Sequence, residues 1–349
     1  MSLPSGIRNY TYAQDMAILR TKTHWVLLIG FLVLLSTFPL YVGNYWLGVA
    51  NLIGITLIAA TGLNLLVGYC GQLSIGHAGF IAVGAYTSAV LTNRFDLPFL
   101  VGLLCAGLMA GIIGLIFGLP SVRVKGFYLA ITTIAAQFII IWVINHWSVT
   151  HGFTNISVPM AKIGGLVFRS EASQFYLIMS IAALCTFFAK NLARTRVGRA
   201  FIAIRDNDLA AEVMGINLLY YKLLAFFIGC FMAGIAGSLL AHHWGTMNGE
   251  FFSLKESILY IGMIIIGGLG TTLGPILGVV SIRLLDRVLT GEIVPWLEGN
   301  IALPAGFATG VTPMLFGLVI VLFLILEPRG IAHRWALFKS AYRLWPFSY

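Results

Sequence analysis

Apolar positions in this chain come in long unbroken runs rather than in alternation, and polar residues act mostly as short punctuation between them. The runs cover Trp25 to Val42, about 45–68, a third ending near Arg94 and Asp96, then Pro98 to Leu119, Phe127 to Trp147, Gln174 to Ala189, about 223–243 and 308–326. A stretch of about 20 apolar residues is what an α-helix needs to cross the hydrocarbon core of a bilayer. The first run follows Arg8, Arg20 and Lys22 but is not closed by a small-x-small triplet, so it reads as a retained helix and not a cleaved signal. The pattern predicts an all-α polytopic membrane protein with about eight full transmembrane helices plus a broken re-entrant helical hairpin.

Two stretches depart from the pattern. Between the second and third runs, Gly68, Gly71, Gly76 and Gly79 stand beside Gln72, Ser74 and His77. Each glycine costs a helix about 1 kcal/mol relative to alanine, so a bend or break is expected here. Backbone freed at bilayer depth must face protein or a watery cavity, which makes this segment a candidate solute path. Close packing through small residues is the plainer explanation of the glycines, and it accounts less well for their polar neighbours. The second departure is 257–289, long for one span and interrupted by GGLGTTLGP with Gly267, Gly268, Gly270 and Gly274. It reads as the hairpin, entering and leaving on one face. A conventional pair of crossings, 257–282 and 288–303, would have to bury Glu292, Pro295 and Glu298. Two glycine-rich interruptions flanked by helices also hint at a duplicated transporter architecture.

Charge sets the topology. Residues 190–222 hold Lys190, Arg194, Arg196, Arg199, Arg205 and Lys222 with Asp206, Asp208 and Glu212, the densest charge in the protein. With a cytoplasmic N-terminus and the hairpin in place, six basic residues fall outside: Arg94, Lys162, Arg169, Lys255, Arg283 and Arg287. That leaves 15 of the 21 Lys and Arg inside, Arg123 and Lys125 among them, the sign expected of cytoplasmic loops. The organisation is a cytoplasmic segment 1–24, one transmembrane domain 25–330 with a cytoplasmic loop 190–222, and a cytoplasmic tail 331–349. A composition of 59 % hydrophobic and 9 % charged residues agrees, and the net charge of +9 then expresses topology rather than affinity for nucleic acid.

Within the charged block, Asp206 or Asn207 can cap a short helix that Gly215 ends. Leu209, Val213 and Ile216 give it an apolar edge, opposed by Asp208 and Glu212. Such a helix is either a lever or a solvated loop that fixes topology. The chemistry that is missing narrows the rest. All twelve Asp and Glu fall in loops or at helix ends, so no buried acid is placed for a proton relay, and His77 alone lies deep in the candidate path. No Walker A sequence, no nucleophile with a base, and no metal spacing among Cys70, Cys105, Cys185 and Cys230 is present; no enzyme activity, metal or cofactor is expected. Asn64, Gln72, Ser74 and His77, with Thr132, Thr133 and Gln137 on a facing helix, are the candidate path residues, neutral groups beside half-helix ends. His77 is read as a hydrogen-bonded packing residue.

Four pieces carry a resemblance: GLNLLVGYCGQLSIGHAGFIAVGAY (62–86), RVKGFYLAITTIAAQF (123–138), TRVGRAFIAIRDNDLAAEVMGIN (195–217) and GGLGTTLGPILG (267–278). Together they resemble the permeases of ATP-binding-cassette importers for branched-chain amino acids, the LivM-like branch. The resemblance implies a bacterial inner-membrane permease with both termini cytoplasmic, forming half of a path beside a second, LivH-like permease. It also implies two ATPase subunits and a periplasmic solute-binding protein. Coupling to the ATPases would involve Arg205, Asp206, Asp208, Ala210, Ala211, Glu212 and Gly215. In the wider importer class the docking loop resembles Glu-Ala-Ala, three residues, then Gly. Ala210, Ala211 and Gly215 fit that spacing, but Leu209 stands in the Glu position and Glu212 is off register, so a salt bridge from that position is not carried over. Urea, short amides or other amino acids as substrates of the same importer class, or an ATP-independent carrier or channel, remain open at this point.

Overall fold

A computed structural model describes residues 22–122, 124, 126–150, 152, 154–293, 307–327 and 329–344. The N-terminal segment to residue 21, Arg123, Lys125, the stretch carrying Pro295 and Glu298, and the last five residues of the tail therefore lie outside the described residues. The chain divides into two compact units, 1–47 and 48–349. The first contains α1 (Lys22–Tyr41), in which the hydroxyls of Ser36 and Thr37 donate back to the carbonyl of Val33.

The rest is built from α2 (Asn44–Leu63), α3 (His77–Arg94), α4 (Phe99–Gly118), α5 (Phe127–His146), α6 (Glu171–Arg194), α7 (Arg196–Asp206), α8 (Asp208–Val213), α9 (Leu218–Trp244), α10 (Leu254–Gly267), α11 (Gly274–Val288), α12 (Phe307–Leu326) and α13 (Ile331–Leu344). Among the described residues, sheet is confined to two small antiparallel pairs. β1 (Ile156–Ser157) pairs with β4 (Thr246–Met247), and β2 (Lys162–Ile163) with β3 (Leu166–Val167). Five helical stretches among the described residues are long and apolar enough to cross a membrane: Asn44–Tyr69, Phe99–Gly118, Phe127–His146, Glu171–Arg194 and Leu218–Trp244. The architecture is that of an all-α polytopic membrane protein.

α9 is the axis of the larger unit, with α3 and α4 packed along it. Lipid tails are as apolar as leucine, so helices in a bilayer adhere by close packing, which small residues permit. Here the backbones themselves meet: a Cβ on Gly84 of α3 would collide with the backbone of Gly234, and one on Gly237 with the carbonyl of Ile81. α10 and α11 pack on one another. At 1.5 Å per residue they measure about 21 and 22 Å, short of the ~30 Å hydrocarbon core.

Candidate functional site

The first glycine-rich departure is an opened helix. Past Leu63 the backbone widens into a π-helical turn, Asn64–Tyr69, then runs without helical structure until Gly76, where α3 begins. Donors freed by this break need partners, and other helices supply them. Ile75 N–H donates to Thr133 Oγ1 at 3.0 Å, and Ala78 N–H to Ser257 Oγ at 2.8 Å. Ser257 Oγ in turn donates to Gln137 Oε1 at 2.8 Å, while Gln137 Nε2 donates to the Phe252 carbonyl at 3.0 Å. A cap built from side chains of α5 and α10 replaces the local N-cap that Gly76 lacks. The fit is close, since a Cβ on Gly76 would run into the carbonyl of Thr133 and one on Gly79 would lie against Gln137.

The other residues nominated for the path divide by role. Thr133 and Gln137 hold the break. Thr132 turns its hydroxyl to the Leu129 carbonyl of its own helix, 2.7 Å away. His77 is fully buried, with Nε2 3.1 Å from the Ala59 carbonyl and its ring edge-on to Tyr260. That carbonyl accepts only, so Nε2 carries the proton when the ring is neutral. His77 Nδ1 and Ser74 Oγ are buried without a hydrogen-bond partner among the described residues. Gln72 is buried and borders a polar cavity of about 330 Å³ whose other walls include Arg205–Asp208 and Lys222.

Asn64 joins the two departures. Its Oδ1 accepts from Gly270 N–H and its Nδ2 donates to the Thr271 carbonyl, both at 2.9 Å. These atoms belong to the turn between α10 and α11, where Gly268 (φ +116°) and Gly270 (φ +70°) adopt backbone that other residues resist. Thr271 Oγ1 accepts from Gly274 N–H at 3.0 Å and starts α11, and a Cβ on Gly267 would strike the Gly274 carbonyl across the turn. Gly68 is packed so closely on this tip that a Cβ would collide with Gly270 N.

Arg205 brings the charged segment to the same point. Its Nη1 donates to the Gly68 carbonyl at 2.9 Å, while Nε and Nη2 donate to Asp206 Oδ1 at 3.0 and 2.9 Å. A Cβ on Gly270 would come within 2.8 Å of Arg205 Nη1, and Gly71 lies against the Arg205 stem. Both glycine-rich breaks and the charged segment thus converge on one junction. Following it, Asn207 Oδ1 caps α8 by accepting from Ala210 N–H at 3.1 Å, and Asp208 forms an ion pair at 3.6 Å with the buried Lys222 of α9. Gly215 (φ +84°) closes α8, its N–H donating to Glu212 O and that of Ile216 to Ala211 O. Ala211 is buried, Ala210 and Glu212 are exposed, and Leu209, Val213 and Met214 protrude, with Val213 87 % exposed.

Nothing in the sequence marks the junction. Along the chain Arg205 belongs to the charged loop expected to face the ATPases, and nothing in its neighbourhood points to Gly68. Ser257 was not singled out either. A serine among the apolar residues of a short helix, opposite Gln137, was the available signal. Among the described residues no cluster of three or more His, Cys, Asp and Glu could hold a metal ion.

Helices broken at glycine-rich turns and held by neighbours' side chains are a device of polytopic membrane transport proteins. Residues 45–326 match the family described as branched-chain amino acid transport system / permease component, and the chain belongs to that family. It is 30 % identical over 329 residues to the high-affinity branched-chain amino acid transport system permease protein LivM of Escherichia coli K12, covering 87 % of this chain and 74 % of that protein. The probable branched-chain amino acid transport permease protein LivM of Methanocaldococcus jannaschii is 24 % identical, over 80 % of this chain and 90 % of its own length. The permease protein LivH of the E. coli K12 system is 27 % identical over 64 % of this chain and 80 % of that protein. No solved structure matches the chain.

Proposed function

We propose that this chain is the permease subunit of an ATP-binding-cassette importer for branched-chain amino acids, forming half of the path across a bacterial inner membrane beside a LivH-like permease. Two ATPase subunits and a periplasmic solute-binding protein complete the assembly. In this reading both termini are cytoplasmic, eight helices cross the bilayer, and α10 and α11 form a re-entrant pair. Their lengths of about 21 and 22 Å support that, being too short to span separately. The observation that carries the mechanism is the junction of Asn64, Gly68, Gly270 and Arg205. It lies at the charged, cytoplasmic end of the path and ties the segment that meets the ATPases to both broken helices.

The junction works as an inner gate. Two neutral hydrogen bonds at Asn64 contribute about 0.5–1.5 kcal/mol each, and the charge-assisted bond from Arg205 about 1.5–3 kcal/mol. A closure of a few kcal/mol holds a two-state gate shut by a factor of roughly a hundred, yet a partner's differential contacts can overcome it. Movement of α7 and α8 withdraws Arg205 from the Gly68 carbonyl and frees the α10–α11 turn. Substrate enters the path from the side opposite Arg205.

The test is reconstitution in proteoliposomes of this chain with its sister permease, the ATPases and the binding protein. Leucine should accumulate when ATP is supplied, and this chain alone should move none. Leucine flux through the isolated chain would overturn the importer assignment in favour of an ATP-independent carrier.

A further inference from the structure

A second cavity, about 230 Å³, lies between α2, α3, α9, α10 and α11, away from the junction. Thr56 and Asn64 are eight positions apart on the same helix, so this cavity stands about 12 Å above the gate. Its wall carries a pair of opposite charges, Glu256 from the first turn of α10 and Arg283 from the middle of α11. Arg283 Nη2 lies 3.7 Å from Glu256 Oε2, and its Nε donates to Thr56 Oγ1 at 3.1 Å. The side chains are 18 % and 32 % exposed, half-buried and open to the cavity. The remaining wall is mostly apolar, with Leu52, Ile81, Leu240 and Phe252 facing the same space beside Tyr260, whose hydroxyl hydrogen-bonds with Thr56 and Arg283.

We propose that this cavity is the substrate site of the path, taking one zwitterionic α-amino acid with an aliphatic side chain. The proposal rests on the permease reading above and adds the place and the groups of recognition. Glu256 receives the ammonium and Arg283 the carboxylate, while the side chain lies on Leu52, Ile81, Leu240 and Phe252. The empty site is neutral because its two charges face each other, and the ligand is neutral for the same reason. Binding exchanges one loose ion pair for two, so no uncompensated charge is left in a poorly hydrated place. Guanidinium is suited to hold a carboxylate in a fixed plane, and Thr56 keeps it aimed. The volume falls below the roughly 300–1,000 Å³ of pockets for drug-sized ligands, on the scale of a single amino acid. The hairpin supplies both charged residues at one end and the gate at its tip, so release of the tip would disturb the site directly.

The experiment uses the assembled importer in lipid nanodiscs without binding protein, labelled with a leucine analogue carrying an aliphatic diazirine. Label should map to residues lining this cavity. Leucine should compete, and 3-methylbutylamine and 4-methylpentanoate, each lacking one of the two charges, should compete at least tenfold less well. In proteoliposomes Glu256→Gln and Arg283→Gln should raise the KM for ATP-driven leucine uptake tenfold or more, with Arg283→Lys intermediate and ATPase co-purification unchanged. Label placed elsewhere, equal competition by the singly charged analogues, or wild-type KM in both glutamine variants overturns the proposal while leaving the importer standing. Wild-type assemblies that take up no leucine with ATP and binding protein overturn the importer reading instead. Labelling needs no variant, so a misfolded substitution does not blunt it.

Discussion

Asn64 shows how much one amide can hold. Its oxygen and nitrogen each bond to backbone of the α10–α11 turn, one accepting and one donating, a pairing that an ionised aspartate of the same length could not make. Asn64→Ala removes about 1–3 kcal/mol of closure and leaves Gly270 N–H and the Thr271 carbonyl to find other partners. That corresponds to a roughly 5- to 150-fold shift toward the open gate. The expected outcome is passive leucine leak through the assembled importer without ATP, read as efflux from preloaded proteoliposomes, and a leak no larger than wild type would refute the gate. Asn64 stood out in the sequence as a polar residue beside a broken helix. Its partner did not, because Gly270 is 206 positions away and only tertiary structure brings the two together. The same holds for Arg283, whose place opposite Thr56 was invisible when it was counted among the outside charges.

At the scale of elements, apolar run length was a good guide wherever the helix is long and was weaker where it is short. The runs near 45–68, 98–119, 127–147 and 223–243 correspond to α2 with its π turn, α4, α5 and α9, because hydrophobicity over 20 residues is a direct imprint of the bilayer. The two breaks were legible where glycines stand beside polar residues or proline, since glycines alone, as in α4 and α9, serve close packing within unbroken helices. What caps them was not, since Thr133, Gln137 and Ser257 come from other helices. The charged block also proved to hold two helices, α7 and α8, where one short helix was expected. Packing between elements gives a further prediction. Gly84→Leu pushes a side chain into the backbone of Gly234, which cannot move without separating α3 from α9. Overpacking of this kind costs about 1–3 kcal/mol or more. The purified protein should lose several degrees in its melting midpoint, whereas Gly126→Leu, with open space around its Cβ, should lose less despite its φ of +59°. Gly215→Pro acts on the C-terminal end of α8. Proline fixes φ near −65° where the native angle is +84°, and it deletes the N–H that bonds Glu212 O. ATP-driven uptake should disappear while membrane insertion, measured by yield of the folded protein, persists.

For the whole molecule, the proposed gate needs a drive from outside this chain, since the described residues contain no nucleotide motif and the junction is held by hydrogen bonds of a few kcal/mol. The force has to arrive through a surface that is expensive to leave in water. α8 presents one, with Leu209, Val213 and Met214 exposed to 67 %, 87 % and 82 %. A loop that served topology alone would gain nothing by displaying three apolar side chains in a turn and a half, and contiguous exposed apolar surface usually marks an interface. The rigid connection behind it supports the same conclusion. α8 is capped by Asn207, anchored through Asp208 to the buried Lys222, and separated by one residue from the helix that ends in Arg205 and Asp206. A push on Leu209 therefore reaches the Gly68 carbonyl through a short chain of fixed contacts. Replacing Leu209 and Val213 together by Asp should abolish co-purification of the ATPase subunits and ATP-driven uptake. The fold should be unaffected, because these side chains are largely free of contacts within the chain, and the sister permease should still associate. Retained ATPase binding in that variant would place the drive elsewhere on the charged block. Arg205→Gln separates docking from coupling: the ATPases should still bind while their hydrolysis no longer drives leucine inward, because the contact that links the lever to the gate is gone.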